Sequence, residues 1–480
     1  MGIRTALLIA LIGCTPTAVD VPVEPDTDAE VDADTDTDTD ADTDSDADTD
    51  TDTDTDADTD VDPIEEVPGH TWAHPGVILI DTAGQTIVTE TKVEGTLSVI
   101  RNHDDTLTDL DDAPRAWEGN VGIEIHGSSS SSFPKHNYRI ELRDDAGEDL
   151  DYALLDLPSE SDWILHGPYS DKTLLRNAFA YTLGRSISTG QWHPRTAFAE
   201  LIINEEHHGA YLVAERIKRG SERVDIAAAS DEDPTGGYII KIDQNRGAGW
   251  QTDRATPIDY HYPKSDRITA AQDAWIQNWF NDLEDVLSAD DFEENWPDWM
   301  DGDSFIDHYI INELALNVDG YRLSGYLHLD SSEHGSGKLI AGPLWDFNLG
   351  FGNSNYCYCW GVDGYVYDAL DLCGYGYQEP FWWQRLLEDP AYIDALRCRW
   401  EDLRTGLLSD DTLRSTLAAL AAEVASMQTR DEQTWQTMGT YLWPNYYIGE
   451  TWDDEVDYLE DWVIDRATWL DANLPGTCGG

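Results

Sequence analysis

From position 26 to position 62 every even-numbered residue is Asp or Glu, mostly alternating with Thr, and no basic residue interrupts the run. Nineteen like charges with almost nothing apolar between them have no surface to bury, so this stretch is expected to stay extended and disordered. It would act as a spacer, and any folded core has to begin after it. The 480 residues carry a formal charge of −67, from 96 acidic against 29 basic side chains. Setting the tract aside leaves about −48 on the remainder, so the folded part is acidic in its own right. That balance argues against nucleic acid as a partner, whose affinity rests on Lys and Arg meeting phosphates. Alternating carboxylates invite weak, diffuse Ca2+ binding, but the tract lacks the glycine turn and closing bidentate Glu of a formed calcium loop. Nineteen Trp and twenty-two Tyr predict a substantial aromatic core.

Residues 1–14, MGIRTALLIALIGC, place Arg4 before an apolar run too short to span a bilayer. They read as a secretory signal, and Leu11-Ile12-Gly13-Cys14 reads as a lipobox whose cysteine is lipidated. The other reading is an ordinary signal with a stray cysteine. With no later apolar run long enough for a span, the lipid on Cys14 would be the only membrane anchor, the cell surface or outer membrane being favoured. The expected organisation is a signal at 1–14, a disordered linker at 15–68 and a folded domain at 69–477, β-rich over 69–264 and mainly helical over 265–477.

Within the β-rich part, VGIEIHG and NYRIELR bracket a loop of five serines, Phe133, Pro134 and Lys135. Hydroxyls, backbone amides and a fixed positive charge suit a phosphate, as they also suit a plain surface loop. Ser170 or Asp171 reads as the cap of a helix carrying Arg176 and Asn177 in its first turns. NEEHHG reads as a hairpin turn. Glu215 follows, with the basic set Arg216, Lys218, Arg219 and Arg223, which either balances nearby carboxylates or faces phosphate. GGYIIKIDQ reads as a strand ending in Asp243. Helical spacing returns in AAQDAWIQNWFNDLEDVL and SFIDHYIINELALN, the second leading directly to Asp319.

The segment from Asn317 to Asn353 then turns back on itself. Tyr326 to Asp330 and Lys338 to Trp345 flank the turn-forming SSEHGSG, so a hairpin is expected to set Asp319 near Asp346. Two carboxylates at one end of a hairpin suit phosphoryl transfer, with one on the nucleophile and one on magnesium. Two ordinary turn aspartates fit the same pattern. Past Asn353 the chain becomes irregular and aromatic, NYCYCWGVDGYVYDALDLCGYG, and then reads as helical to the end. Among the cysteines, a bridge from Cys357 or Cys359 to Cys373 and another from Cys398 to Cys478 are favoured, leaving one thiol over. Zinc is the alternative, with poor ligand spacing.

Six stretches in order, IHGSSSSSFPKHNYRIEL, SDKTLLRNAFAYTL, HHGAYLVAERIKRGSERVDI, GGYIIKID, NVDGYRLSGYLHLD and GKLIAGPLWDFNLGFGN, resemble the CotH family of spore-coat-type protein kinases over roughly residues 75 to 470. The resemblance implies an atypical protein-kinase-like α+β fold of two lobes with ATP between them. It implies that Asp319 orients or deprotonates the acceptor hydroxyl and that Asp346, in WDFNLGFG, ligates Mg2+ or Mn2+. Lys135 would touch the ATP phosphates with Glu215 as its ion-pair partner, and Arg176 lies in a matching motif near the nucleotide. The sequence departs from ordinary kinases in lacking a G-x-G-x-x-G loop and in placing Ser324, not Asn, five residues after Asp319; Asn348 is the substitute metal ligand. The activity implied is transfer of the γ-phosphate of ATP to Ser or Thr of an exported protein. The alternative is a non-catalytic surface or coat protein, or adhesin, that keeps the fold.

Overall fold

Side chains that alternate between apolar and polar over Gly76 to Glu215 produce strands with one greasy face each, and seven of them close on themselves. The computed structural model describes residues 72–73, 76–101, 108–109, 115–188, 190–230, 233–243, 249–368 and 379–479. The signal, Cys14, the acidic tract and Cys373 lie outside the described residues. In chain order the described strands are β1 (Trp72–Ala73), β2 (Gly76–Asp81), β3 (Val93–Arg101), β4 (Thr108–Asp109), β5 (Trp117–His126), β6 (Asn137–Arg143) and β7 (Asp162–His166). They continue with β8 (Thr196–Ile203), β9 (Glu206–Glu215), β10 (Tyr238–Ile242), β11 (Gly249–Gln251), β12 (Pro257–Tyr262), β13 (Gly325–Leu329) and β14 (Leu339–Ala341).

The barrel runs β2-β3-β5-β6-β7-β9-β8 and is shut by a parallel pairing of β2 with β8, Val77 opposite Glu200 and Ile80 opposite Ile203. Ile78, Leu97, Val121, Ile123, Ile140, Trp163, Leu201 and Val213 fill it. The β8–β9 hairpin turns on Asn204 and Glu205, both with positive φ (50° and 68°), as a tight turn matched to strand twist requires. A second sheet, β11-β12-β10-β13-β14, is antiparallel throughout. Its last hairpin is the one expected from SSEHGSG, with Leu327 opposite Ala341 and Leu329 opposite Leu339.

Helices account for most of the rest. Among the described residues they are α1 (Arg176–Ile187), α2 (Ala270–Ser288), α3 (Phe292–Asn295) and α4 (Gly302–Ala315), followed by the helices Trp382–Leu386, Pro390–Arg404, Asp410–Trp435 and Trp452–Asn473. Their starts are written in the sequence: Thr269 and Gln272 form a capping box on α2, Thr451 and Asp454 form another, and Asp389 caps a helix with Pro390 in its first turn. From Ser304 on α4 is buried all round, as expected of a helix through the middle of a core. It packs in one continuous cluster with α1, the second sheet and the later helices, including Phe179, Phe280, Tyr309, Trp382 and Trp400.

The chain is therefore mixed α+β, β-rich first and helical later. Two features go beyond the expectation. The first strands form a closed barrel rather than an open lobe, and the second sheet takes β13 and β14 from within the helical half. Among the described residues no helix is long and apolar enough to cross a membrane.

Cys398 and Cys478 form the expected disulfide, Cα atoms 4.6 Å apart across 80 residues of chain. Cys357 is also disulfide-bonded, and among the described residues Cys359 is a free thiol. Burial, with Asp319 and Glu313 nearby, pushes that thiol up to about 12.

His193 and His308 are buried in this core, and burial pulls each ring from 6.5 down to about 3. The unfolded chain takes up protons on both rings below pH 6.5 while the folded chain does not, so their contribution is whole above pH 6.5 and is lost as pH falls toward 3. Denaturant midpoints at pH 7, 6 and 5 should record a loss on the order of 1.4 kcal/mol per ring per pH unit. His308→Gln should show a slope shallower by about that amount.

Candidate active site

Helix α4 ends where Leu316 turns into the left-handed region (φ 42°), and this releases the loop that carries Asp319. The loop is stapled from beneath. Glu313 accepts from the Tyr321 hydroxyl at 3.1 Å and from the main-chain N–H of Val366 and Tyr367 at 2.9 Å each, and the fully buried Arg466 donates to the Glu313 carbonyl at 2.8 Å. Arg322 donates to Asp319 Oδ1 at 2.6 Å. Burial raises the Asp319 carboxyl above its ordinary value, Arg322 opposes this and Asp243 adds to it.

Asp346 sits on the other limb of the hairpin, at φ 65°. Two residues of α1, one turn apart, hold its main chain: Asp346 N–H donates to the Tyr181 hydroxyl at 3.1 Å and Phe347 N–H to Asn177 Oδ1 at 2.6 Å. Asn317 donates to the Asp346 carbonyl at 3.4 Å, tying the two aspartate loops together. Burial, then the charges of Asp319 and Asp243, push the Asp346 carboxyl up to about 7. The pair expected from the hairpin thus shares one place, and the two carboxylates feel each other.

Both face a cavity of about 1320 Å3 between the barrel, the second sheet and α1. Its lining includes Gly127 to Ser130 of the serine loop, His126, His166, Asn177, Lys241, Asp243, Asp259, Arg322, Ser324 and Asn348, with Tyr356 and Trp443 among its aromatics. The serine loop is a short 3-10 turn, Ser129–Ser132. It starts from Gly127 at φ 112°, a backbone conformation that strains any larger residue, and a Cβ there would come within 2.2 Å of Ser130 Oγ and displace that hydroxyl.

Three expected contacts fall elsewhere. Lys135 is 1% exposed and lies outside the cavity lining; its Nζ is 2.5 Å from Asp431 on the helix Asp410–Trp435 and 5.5 Å from the Tyr211 ring centroid. The Lys135–Glu215 pair does not form, because Glu215 is held by Arg223 and, at 2.8 Å, by Arg195. Arg176 is buried against Asp171 at 2.6 Å, and Asp171 also accepts the Arg176 N–H at 2.9 Å, capping α1 from five residues back. The basic set after β9 meets acids: Arg216 pairs with Asp162, and Lys218 with Glu160 and Asp162.

The lysine in the cavity is Lys241, 2.6 Å from Asp243. Burial draws its ammonium down, but Tyr326, Asp243 and Asp259 raise it by more. The signal for it was GGYIIKID: in a strand, positions 241 and 243 share one face while Ile240 and Ile242 go to the core. Arg322 and His126 were also missed, the former because a residue three past an aspartate carries no pattern of its own.

Asp319 and Asp243 raise the buried Asp346 carboxyl and Asp243 raises that of Asp319, a charge cost that a divalent cation would relieve, although among the described residues no three His, Cys, Asp or Glu side chains converge closely enough to hold one as they stand. A family model described as CotH kinase protein matches residues 123–470, well over half of the chain. No curated protein matches it.

Proposed function

The chain belongs to the CotH kinase family, and from that premise we propose that it transfers the γ-phosphate of ATP to a Ser or Thr hydroxyl of an exported protein. The observation that carries this reading is the meeting of Asp319, Asp346, Asp243 and Lys241 with the serine loop in one cavity. At about 1320 Å3 the space exceeds the ~1,000 Å3 upper range of ligand pockets, enough for a nucleotide and the end of an acceptor chain. The kinase-like two-lobed arrangement is part of the same proposal, with the barrel and its neighbouring sheet over the nucleotide and the helices below.

In this reading Asp319 accepts the proton of the acceptor hydroxyl as its oxygen bonds to the γ-phosphorus and the bond to the ADP oxygen breaks. Arg322 keeps Asp319 oriented. Lys241 and the main-chain amides and hydroxyls of Ser128 to Ser130 bind phosphate oxygens. Asp346 and Asn348 would hold Mg2+ or Mn2+, which when bound supplies positive charge to the β- and γ-phosphates. Export, with a lipid on Cys14 and the acidic tract as spacer, completes the proposal; it is supported by residues 1–14 and 26–62 of the sequence.

A second reading, a non-catalytic surface component, draws on Tyr441, Trp443 and Tyr446, each about half exposed, Trp443 lying at the cavity. One assay separates the two. Incubation with ATP labelled at the γ-phosphate should leave label on Ser or Thr of an acceptor protein with Mg2+ present and none after chelation. Nucleotide binding without any label would favour the second reading.

A further inference from the structure

His126 and His166 both line the cavity with one ring nitrogen engaged, His166 by Asn177 at 3.1 Å and His126 from behind by an arginine. His126 follows Glu124 by two residues on β5, and the register of β5 with β6 sets Arg139 directly opposite Glu124. Arg139 Nη1 donates to Glu124 Oε1 at 3.1 Å, and Nη2 donates to His126 Nδ1 at 3.1 Å. A guanidinium has donors and no acceptor, so Nδ1 must accept and the ring proton must sit on Nε2. The ring lines the cavity beside Gly127, Ser128 and Ser129, and among the described residues no group bonds its Nε2.

The groups facing this ring come from four neighbours: Arg139 on β6, His166 on β7, Arg216 just past β9 and Lys241 on β10. Burial first, and then these charges, hold the imidazole down to about 3. A charged imidazolium would be drawn to the cavity's carboxylates; a neutral ring with a fixed N–H is left free for an anion.

We propose that His126 presents its Nε2–H to the phosphate oxygens of the nucleotide as a fixed neutral donor, and that Arg139 is the positioning residue that sets its tautomer. This rests on the kinase reading of the cavity. It adds a donor whose protonation does not change between pH 5 and 8, beside hydroxyls and amides that do not titrate either.

The test is calorimetry of the full chain with ATP and Mg2+, and separately with inorganic tripolyphosphate, on wild type, His126→Gln and His126→Phe, with circular dichroism to verify folding. Gln keeps an N–H donor and should bind both ligands within about threefold of wild type; Phe keeps the ring without the donor and should weaken both about tenfold or more. Nitrogen NMR of the histidine rings should find the Nε2–H form of His126 from pH 5 to 8 in wild type and a mixture of Nε2–H and Nδ1–H forms in Arg139→Met. His126→Phe binding as tightly as wild type, or an Nδ1–H ring, would overturn the proposal. Tripolyphosphate bound through His126 with no ATP binding would sink the kinase reading and leave the anion site standing, and binding of neither would sink both.

Discussion

Asp319→Asn is expected to slow phosphate transfer by about 10²- to 10⁴-fold, the range for loss of a positioned general base, while ATP affinity stays within a few-fold. The substitution is close to isosteric, so the hydrogen bond from Arg322 is kept. What it removes is the proposed proton acceptor. The position matters because the loop is fixed at both ends: Tyr321 is pinned by the buried Glu313 and Asn317 bonds the Asp346 carbonyl. Burial and Asp243 make the Asp319 carboxylate a better base than an exposed one would be. Single-turnover rates at saturating ATP measure the effect. A rate within about threefold of wild type would remove Asp319 from the chemistry.

The largest effect on stability is expected at Lys135. Lys135→Met strands Asp431 inside the protein without its cation, and breaking one side of a buried pair typically costs about 3–5 kcal/mol. Lys135→Met combined with Asp431→Leu should recover much of that, since neither charge is then left alone. Recovery stays partial because Asp431 also accepts the Ala210 N–H at 2.8 Å. Denaturant midpoints give the stabilities. The double variant should bind ATP about as well as wild type, because Lys135 lies outside the cavity lining. A folded double variant that no longer binds ATP would return Lys135 to the nucleotide.

The contrast between these two residues marks how far the sequence could be read. Asp319 and Asp346 were legible because a turn cluster between two strand-like runs forces the chain back, and a helix of apolar spacing ends just before the first of them. Cap residues and the Asn204–Glu205 hairpin were legible for the same reason, since each is a local pattern, and the Cys398–Cys478 bridge, 80 residues apart in sequence, was legible from the cysteine count. Lys135 was not. A lysine after a serine loop has a phosphate-binding chemistry, but its side chain went to an aspartate 296 residues away, which no spacing reveals. Lys241 and His126 were hidden in the opposite sense: each sits in an ordinary strand, and its meaning comes from what the other sheet or the next strand sets against it. Closure of the barrel belongs with these, because the β2–β8 pairing joins ends that alternation alone leaves open.

In the proposed function one cavity holds a nucleotide and its metal through Asp346. Calorimetric titration of the full chain with ATP, with and without Mg2+, on wild type and Asp346→Asn tests it most directly. Binding of about one ATP per chain is expected, weakening at least about tenfold without Mg2+, with Asp346→Asn held at the metal-free level whether or not Mg2+ is present. Binding that ignores both Mg2+ and the Asp346→Asn change, or no binding at all, would contradict it.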